Sequence, residues 1–189
     1  MTTQQAQAHD PTAQAVIRFW FEESTPQQWF AKDDAFDRAI QEHFGGVLDQ
    51  GARGELWHWR SDALGRLAEI LVLDQFSRNV WRDTPRAFAQ DGMALVLTQE
   101  IIALGLDRDF TEAQRAFAYM PLMHSESAVV QQESIRQFTA LGNPVNLDFA
   151  ERHKAIVDRF GRYPHRNRVL GRASTAEEEA FLRTPGSSF

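Results

Sequence analysis

The sequence predicts an all-α protein of seven to nine helices joined by short turns. Three observations predict it. Helix-capping residues recur along the chain, apolar residues return every three or four positions, and no strand-like alternation of useful length interrupts them. Asp10 followed by Pro11 is an N-cap with proline in the first turn, opening a helix through Phe21. Thr25-Pro26 and Thr84-Pro85 repeat that signal. Asp33 opens a helix with Phe36, Ile40 and Phe44 on one side. Ser61 is expected to open the next, which runs to about Trp81. The helix after Pro85 should end at Gly105 in a left-handed cap. Thr111 starts a short helix that Pro121 is expected to stop. Ser125 to Leu141 follows, closed by Gly142-Asn143-Pro144, and Asn146 to Phe160 ends at Gly161. Thr175 and Glu178 form a capping box for the last short helix.

At 189 residues, 43% hydrophobic and 24% charged, the chain is expected to form one soluble domain over 10–189, behind a polar, flexible N-terminal tail over 1–9. The longest apolar runs, such as Ile70 to Leu73, are far too short to span a bilayer, so no membrane partner is expected. Met1 to His9 lacks the apolar core of a secretory signal. The absence of cysteine excludes disulfides, thiol nucleophiles and Cys-ligated metals, and fits a cytoplasmic setting. A net charge of -6 and a pI of about 5.5 argue against a nucleic-acid partner, because phosphate binding needs a broad basic face.

Two features depart from simple amphipathicity. The helix opened by Ser61 is apolar all round (Leu64, Leu67, Ile70, Leu71, Val72, Leu73, Phe76, Val80), the signature of a buried central helix. Asp74 and Arg78 fall among those residues, four apart, so they pair within the helix and are buried or line a pocket. His153, amid Phe149, Ile156, Val157 and Phe160, should also face inward. The second feature is a run of five arginines in fourteen residues, Arg159, Arg162, Arg166, Arg168 and Arg172, with no Asp or Glu among them. Guanidinium groups are planar forks for carboxylate or phosphate, so internal carboxylates or an exogenous anion must answer them.

Three blocks carry a resemblance: Leu73-Asp74-Gln75-Phe76-Ser77-Arg78-Asn79, Tyr119-Met120-Pro121-Leu122-Met123-His124-Ser125-Glu126 and Phe160-Gly161-Arg162-Tyr163-Pro164-His165-Arg166-Asn167. With the ending Ser174 to Glu178, they resemble a bacterial family filed as domain of unknown function 924, over about Val16 to Phe189. The resemblance implies a tetratricopeptide-like stack of antiparallel helix pairs, and implies no activity. Glu22, Ser77 and Tyr163 depart from the family's usual glycine, proline and phenylalanine, and none of these changes removes an ionisable group.

The candidate site gathers the polar residues of these blocks. Asp74, Arg78, Arg162, Arg166 and Asn167 are the candidate ligand-binding residues, and His124, Glu126 and His165 the candidate acid–base groups. The bland alternative is an ion-pair network, with Asp74 and Glu126 as partners for the arginines, since a buried charge must be paired. Glu126 and Ser125 are also explained as a first-turn acid and an N-cap. Spacing gives no metal site: His124-Ser125-Glu126 is not a zinc-ligand pattern on a helix. No phosphate-binding glycine loop calls for a nucleotide cofactor. The leading expectation is a helical binding domain for a small anionic ligand or a peptide carboxylate. A metal-independent hydrolase or lyase comes second, and a protein-interaction scaffold whose polar cluster is only structural comes third. Arginines fully engaged by carboxylates would favour the scaffold.

Overall fold

A computed structural model of the chain describes residues 8–188, and every regular element in them is helical. The elements are α1 (Pro11–Arg18), α2 (Pro26–Phe30), α3 (Asp34–Ala52), α4 (Ala63–Ile70), α5 (Ser77–Val80), α6 (Asp91–Leu104), α7 (Glu112–His124), α8 (Ala128–Leu141), α9 (Pro144–Phe160) and α10 (Ala176–Leu182). A π turn, Leu71–Phe76, joins α4 to α5 into one continuous helix, which leaves nine helices among the described residues. A second π turn, Phe19–Glu23, extends α1. Among the described residues no helix is long and apolar enough to cross a membrane.

Local chemistry sets most boundaries. The Asp10 carboxylate accepts from the backbone N–H groups of Thr12 (2.8 Å) and Ala13 (3.1 Å). Thr25, Thr111 and Thr175 form capping boxes with Gln28, Gln114 and Glu178. Each such cap satisfies an otherwise orphaned donor and contributes about 1 kcal/mol. Gly105, Gly142 and Gly161 end α6, α8 and α9 in the left-handed region, which only glycine adopts without steric cost.

Several expected boundaries move. Asp62, not Ser61, caps α4, accepting from Gly65 N–H at 2.8 Å. Ser61 ends a 3₁₀ turn begun at Trp57, and that turn packs so close that a Cβ on Gly65 would stand 2.0 Å from the Trp59 carbonyl oxygen. Pro85 opens a 3₁₀ turn, and α6 begins only at Asp91. Asn143 caps α9, with Pro144 at its first position. Pro121 does not stop α7 but lies inside it. Ala116 to Met123 are all buried, and burying two full turns offsets the hydrogen bond that proline removes. Ser125 therefore caps the C-terminal end of α7, and α8 takes Ser127 as its N-cap. Glu126 then lies in the α7–α8 connection and not in a first helical turn.

The central helix is apolar all round, and Leu67, Ile70, Leu71, Val72, Leu73 and Phe76 are fully buried. Phe76 meets Phe19, Trp20 and Phe44 with ring centroids 5.2–6.2 Å apart. α1 and α6 pack on α4, and α6, α7, α8 and α9 stack as successive antiparallel neighbours. A smaller cluster of Ile156, Val157 and Tyr163, with Phe160 and Phe181, lies under the C-terminal segment. Of the tail expected over 1–9, residues 1–7 lie outside the described residues. Ala8 is buried, and His9 N–H donates to Asp62 at 3.0 Å.

Candidate functional site

The π turn carries Asp74 into the middle of the fold, where it has no solvent exposure. Ser77 Oγ reaches back to the Val72 carbonyl at 3.4 Å, five residues away. Single π turns occur frequently at functional sites. Asp74 Oδ1 takes His124 Nδ1 at 2.7 Å and Arg78 Nη1 at 3.0 Å, and Oδ2 accepts from Gln75 Nε2 at 2.6 Å. Burial alone would raise this carboxyl, but Arg78 and His124 override it and hold it well below the usual range. The carboxylate is therefore charged, so His124 Nδ1 carries the proton and donates. Burial, followed by Arg78, lowers the imidazole below its ordinary value against the pull of Asp74, so His124 is neutral at neutral pH with Nε2 as its basic nitrogen.

Arg78 continues the chain of charges. Its Nη1 and Nη2 grip both oxygens of Asp91 at 2.9 and 3.0 Å. Burial opposes its charge, and Asp74 and Asp91 outweigh that and raise it. Asp91 is the first residue of α6, where the helix dipole also favours an acid. Arg166 Nη1 shares Asp91 Oδ2 at 3.2 Å. The Arg166 guanidinium carbon lies 4.6 Å from the Phe88 ring centroid and 4.5 Å from that of Tyr163. Only 6% of the residue is exposed, and its Nε is buried with no hydrogen-bond partner among the described residues. Burial, then Arg78, lowers this guanidinium from its ordinary value. Arg166 is thus a cation with half a carboxylate.

The other arginines are answered internally. Arg162 forks onto Glu178 at 2.6 and 2.8 Å, tying α10 to the segment after α9. Arg172 grips Glu126 at 2.7 and 2.9 Å, and Glu126 also accepts the Tyr163 backbone N–H at 2.8 Å. Burial opposes ionisation of Glu126, but the Arg172 and Tyr163 hydrogen bonds prevail and lower it. Arg159 pairs with Glu177 at the surface. Asn167 donates to Ser174 and accepts from Arg172 Nε, both at 3.0 Å, so its amide holds the C-terminal loop. Tyr163 donates its hydroxyl to the Met123 carbonyl at 2.5 Å.

A pocket of about 290 Å³ opens between the 85–92 segment, the 124–126 connection, and Arg166 with Leu170. Asp91, His124, Glu126 and Arg166 form its polar side; Phe88, Leu95 and Leu170 form its apolar side. A larger depression of about 660 Å³ between Thr25 and Ala35 is an open surface, and none of its lining residues is buried. The structure brings Asp74, Arg78, His124, Glu126 and Arg166 of the expected set to one place, and sets Arg162 and Asn167 apart from the pocket. His165 lies tilted against Tyr163, ring centroids 5.6 Å apart, and burial with Arg166 pushes it down to about 4. His153 is buried behind His124, donates Nδ1–H to the Phe149 carbonyl at 2.8 Å, and is pushed down to about 3 by burial and His124. Among the described residues, no three His, Cys, Asp or Glu side chains stand close enough to hold a metal ion. Asp91 and Phe88 are the site residues that sequence reasoning misses, because nothing local marks an α6 N-terminal acid as the hub of two arginines.

Comparison with known proteins agrees with this architecture. No curated protein matches the chain. A solved structure of a protein of unknown function from Agrobacterium tumefaciens is 38% identical and superposes with a TM-score of 0.86, covering 90% of this chain and 96% of that one. The family described as bacterial protein of unknown function (DUF924) matches residues 16–186. The same residues that build the charged cluster lie within that match, and the chain belongs to the DUF924 family.

Proposed function

We propose that the pocket binds a small organic anion, with Arg166 as its anchor. One observation carries the reading. Arg166 borders the pocket, is almost wholly buried, and holds a single 3.2 Å bond to a carboxylate that Arg78 already grips with both nitrogens. A buried guanidinium answered by one long bond is under-compensated for its desolvation, and an anion at its open Nη2 would offset that. A volume near 290 Å³ lies at the lower end of the range for small-molecule pockets, roughly 300–1,000 Å³. The scaffold alternative requires the arginines of the cluster to be fully engaged by carboxylates, and Arg166 shares one carboxylate oxygen through a single nitrogen.

The test is a melting experiment with acetate, succinate, sulfate and phosphate against sodium chloride at matched ionic strength. A ligand at a hundredfold excess over its Kd should add about 2.7 kcal/mol of stability. Arg166→Ala should abolish that gain while the unliganded protein loses little, because Asp91 keeps Arg78. A flat response to all four anions, together with a collapsed Arg166→Ala, would leave the structural network as the explanation.

The Asp74–His124 hydrogen bond favours a second reading, acid–base chemistry on the bound anion by a metal-independent hydrolase or lyase. Asp74 fixes the tautomer, and His124 Nε2 supplies the base at a pocket wall. Under this reading, His124→Gln abolishes turnover of carboxylate-bearing ester and elimination substrates but keeps the anion-induced rise in melting temperature. Equal turnover by the variant would dismiss it.

A further inference from the structure

We infer that the ligand is a monocarboxylate on a compact apolar body, with its carboxylate at Arg166 and its hydrocarbon against Phe88, Leu95 and Leu170. This rests on the anion-pocket reading and narrows it. The first argument is the shape of the anchor. Phe88 and Tyr163 cover the Arg166 guanidinium, and Nη1 is tied to Asp91. What remains open is Nη2, since Nε is out of reach of solvent, and one carboxylate oxygen is enough to answer that donor. A tetrahedral phosphate has further oxygens that would need donors from another cation, and Arg78 and Arg172 are each gripped bidentately by a carboxylate.

The second argument is charge. Arg78, Arg166 and Arg172 face Asp74, Asp91 and Glu126, three against three. A bound monoanion adds one negative charge to this balanced set. A dianion would add two, beside Asp91 and Glu126 on the pocket wall itself. The third argument is the opposite wall. Pro85, Phe88, Ala89, Leu95 and Leu170 give a compact ligand apolar surface to bury, and burial of hydrocarbon, unlike the ion pair, grows with ligand size.

Calorimetric titration with acetate, butyrate, hexanoate and benzoate, with inorganic phosphate as the rival and ionic strength fixed, tests the class. The expected result is a Kd that falls about fourfold per added methylene until the pocket fills, with phosphate weaker than butyrate. Arg166→Ala should erase binding of the whole series. Gly92→Leu guards against a variant that merely misfolds: a Cβ at Gly92 meets nothing within 4 Å, and leucine is the better helix former. Gly92 lines the pocket, so this variant should keep acetate within about twofold and weaken hexanoate and benzoate at least tenfold, since their hydrocarbon loses its place. A flat chain-length series with phosphate binding more tightly would overturn the monocarboxylate class while leaving the anion site standing. Silence toward every anion would overturn the anion site itself. A further arm uses an acetylated dipeptide ending in leucine and its C-terminal amide. Tighter binding by the dipeptide acid than by hexanoate would reassign the carboxylate to a chain terminus, whereas equal or weaker binding supports the free acid.

Discussion

Two carboxylates on the central helix, Glu69 and Asp74, are both without solvent exposure, and they are neutralised in opposite ways. Glu69 sits on the regular stretch α4 and has one partner: Arg60 grips its two oxygens at 2.7 Å each. Asp74 sits on the π turn and divides one oxygen between Arg78 and His124; Arg78 passes on to Asp91, and Asp91 is shared again with Arg166. The first is a closed pair. The second is an open chain that ends on an under-coordinated guanidinium beside a pocket. A single fork suffices to answer a buried carboxylate, so the longer chain around Asp74 does more than pair it.

Breaking the closed pair should give the largest effect. Arg60→Ala leaves Glu69 buried and unanswered, with an expected loss of about 3–5 kcal/mol in denaturant unfolding. Arg60→Met combined with Glu69→Leu should recover most of it, because a buried pair adds little over well-packed apolar groups. A loss below about 1 kcal/mol for Arg60→Ala would mean that Glu69 is not held by this pair, and the contrast would fail.

The open chain should respond less, and with a second signature. Asp74→Asn keeps an oxygen for His124 and leaves Arg78 on Asp91, so the expected loss is about 1–3 kcal/mol. It also removes one negative charge from a balanced cluster. Butyrate should therefore raise the melting temperature of Asp74→Asn more than that of the wild type. Glu69→Gln should leave the butyrate response unchanged. Identical responses in the two variants would show that the chain does not communicate with the pocket.

A further test is the pH dependence. The native state holds His153 and His165 at about 3 and 4, below the ordinary histidine value of 6.5. Between these values the unfolded chain binds more protons than the native one, so stability rises with pH. The penalty is absent above about pH 6.5 and grows as pH falls toward 4, at up to about 1.4 kcal/mol per pH unit for each histidine. Glu126 and Glu178 lose their own contributions only below their ordinary value of 4.5, which leaves pH 5–6.5 to the histidines. His124, also held below its ordinary value, adds to the same slope, so urea midpoints across that window should fall with acid, and His153→Gln should flatten the slope by about a third.

These regions also differ in how far sequence reveals them. The caps at Asp10, Thr25, Thr111 and Thr175 are legible because their hydrogen bonds span two or three residues. The all-round apolar pattern identifies the buried helix, and with it Asp74. Glu69 meets the same test as Asp74, a charged residue on a helix with no polar face, so its burial was equally readable. Its partner was not, since Arg60 lies in a 3₁₀ turn that propensity does not announce. Asp91 is illegible for a different reason: its two arginines come from 13 residues before it and 75 after it. Pro121 misleads because the breaker rule describes a solvated helix, while here its neighbours are buried from Ala116 to Met123.

The π turn makes the cluster a matter of residue count as well as residue identity. Each residue advances a helix by about 100°. A π turn takes up one residue more than an α turn over the same rotation, so deleting one position between Leu71 and Phe76 would let the segment relax into a plain α-helix with everything from Ser77 onward still in phase with α4. Glu69 and Arg60 lie upstream and would stay together, and Arg78 would keep its side of the helix. The bulge itself would close, and Asp74 would lose the displacement it gives, without a single charged side chain being replaced. The spare residue in this turn serves the site and not the fold, and a one-residue deletion there is the smallest change that separates the two.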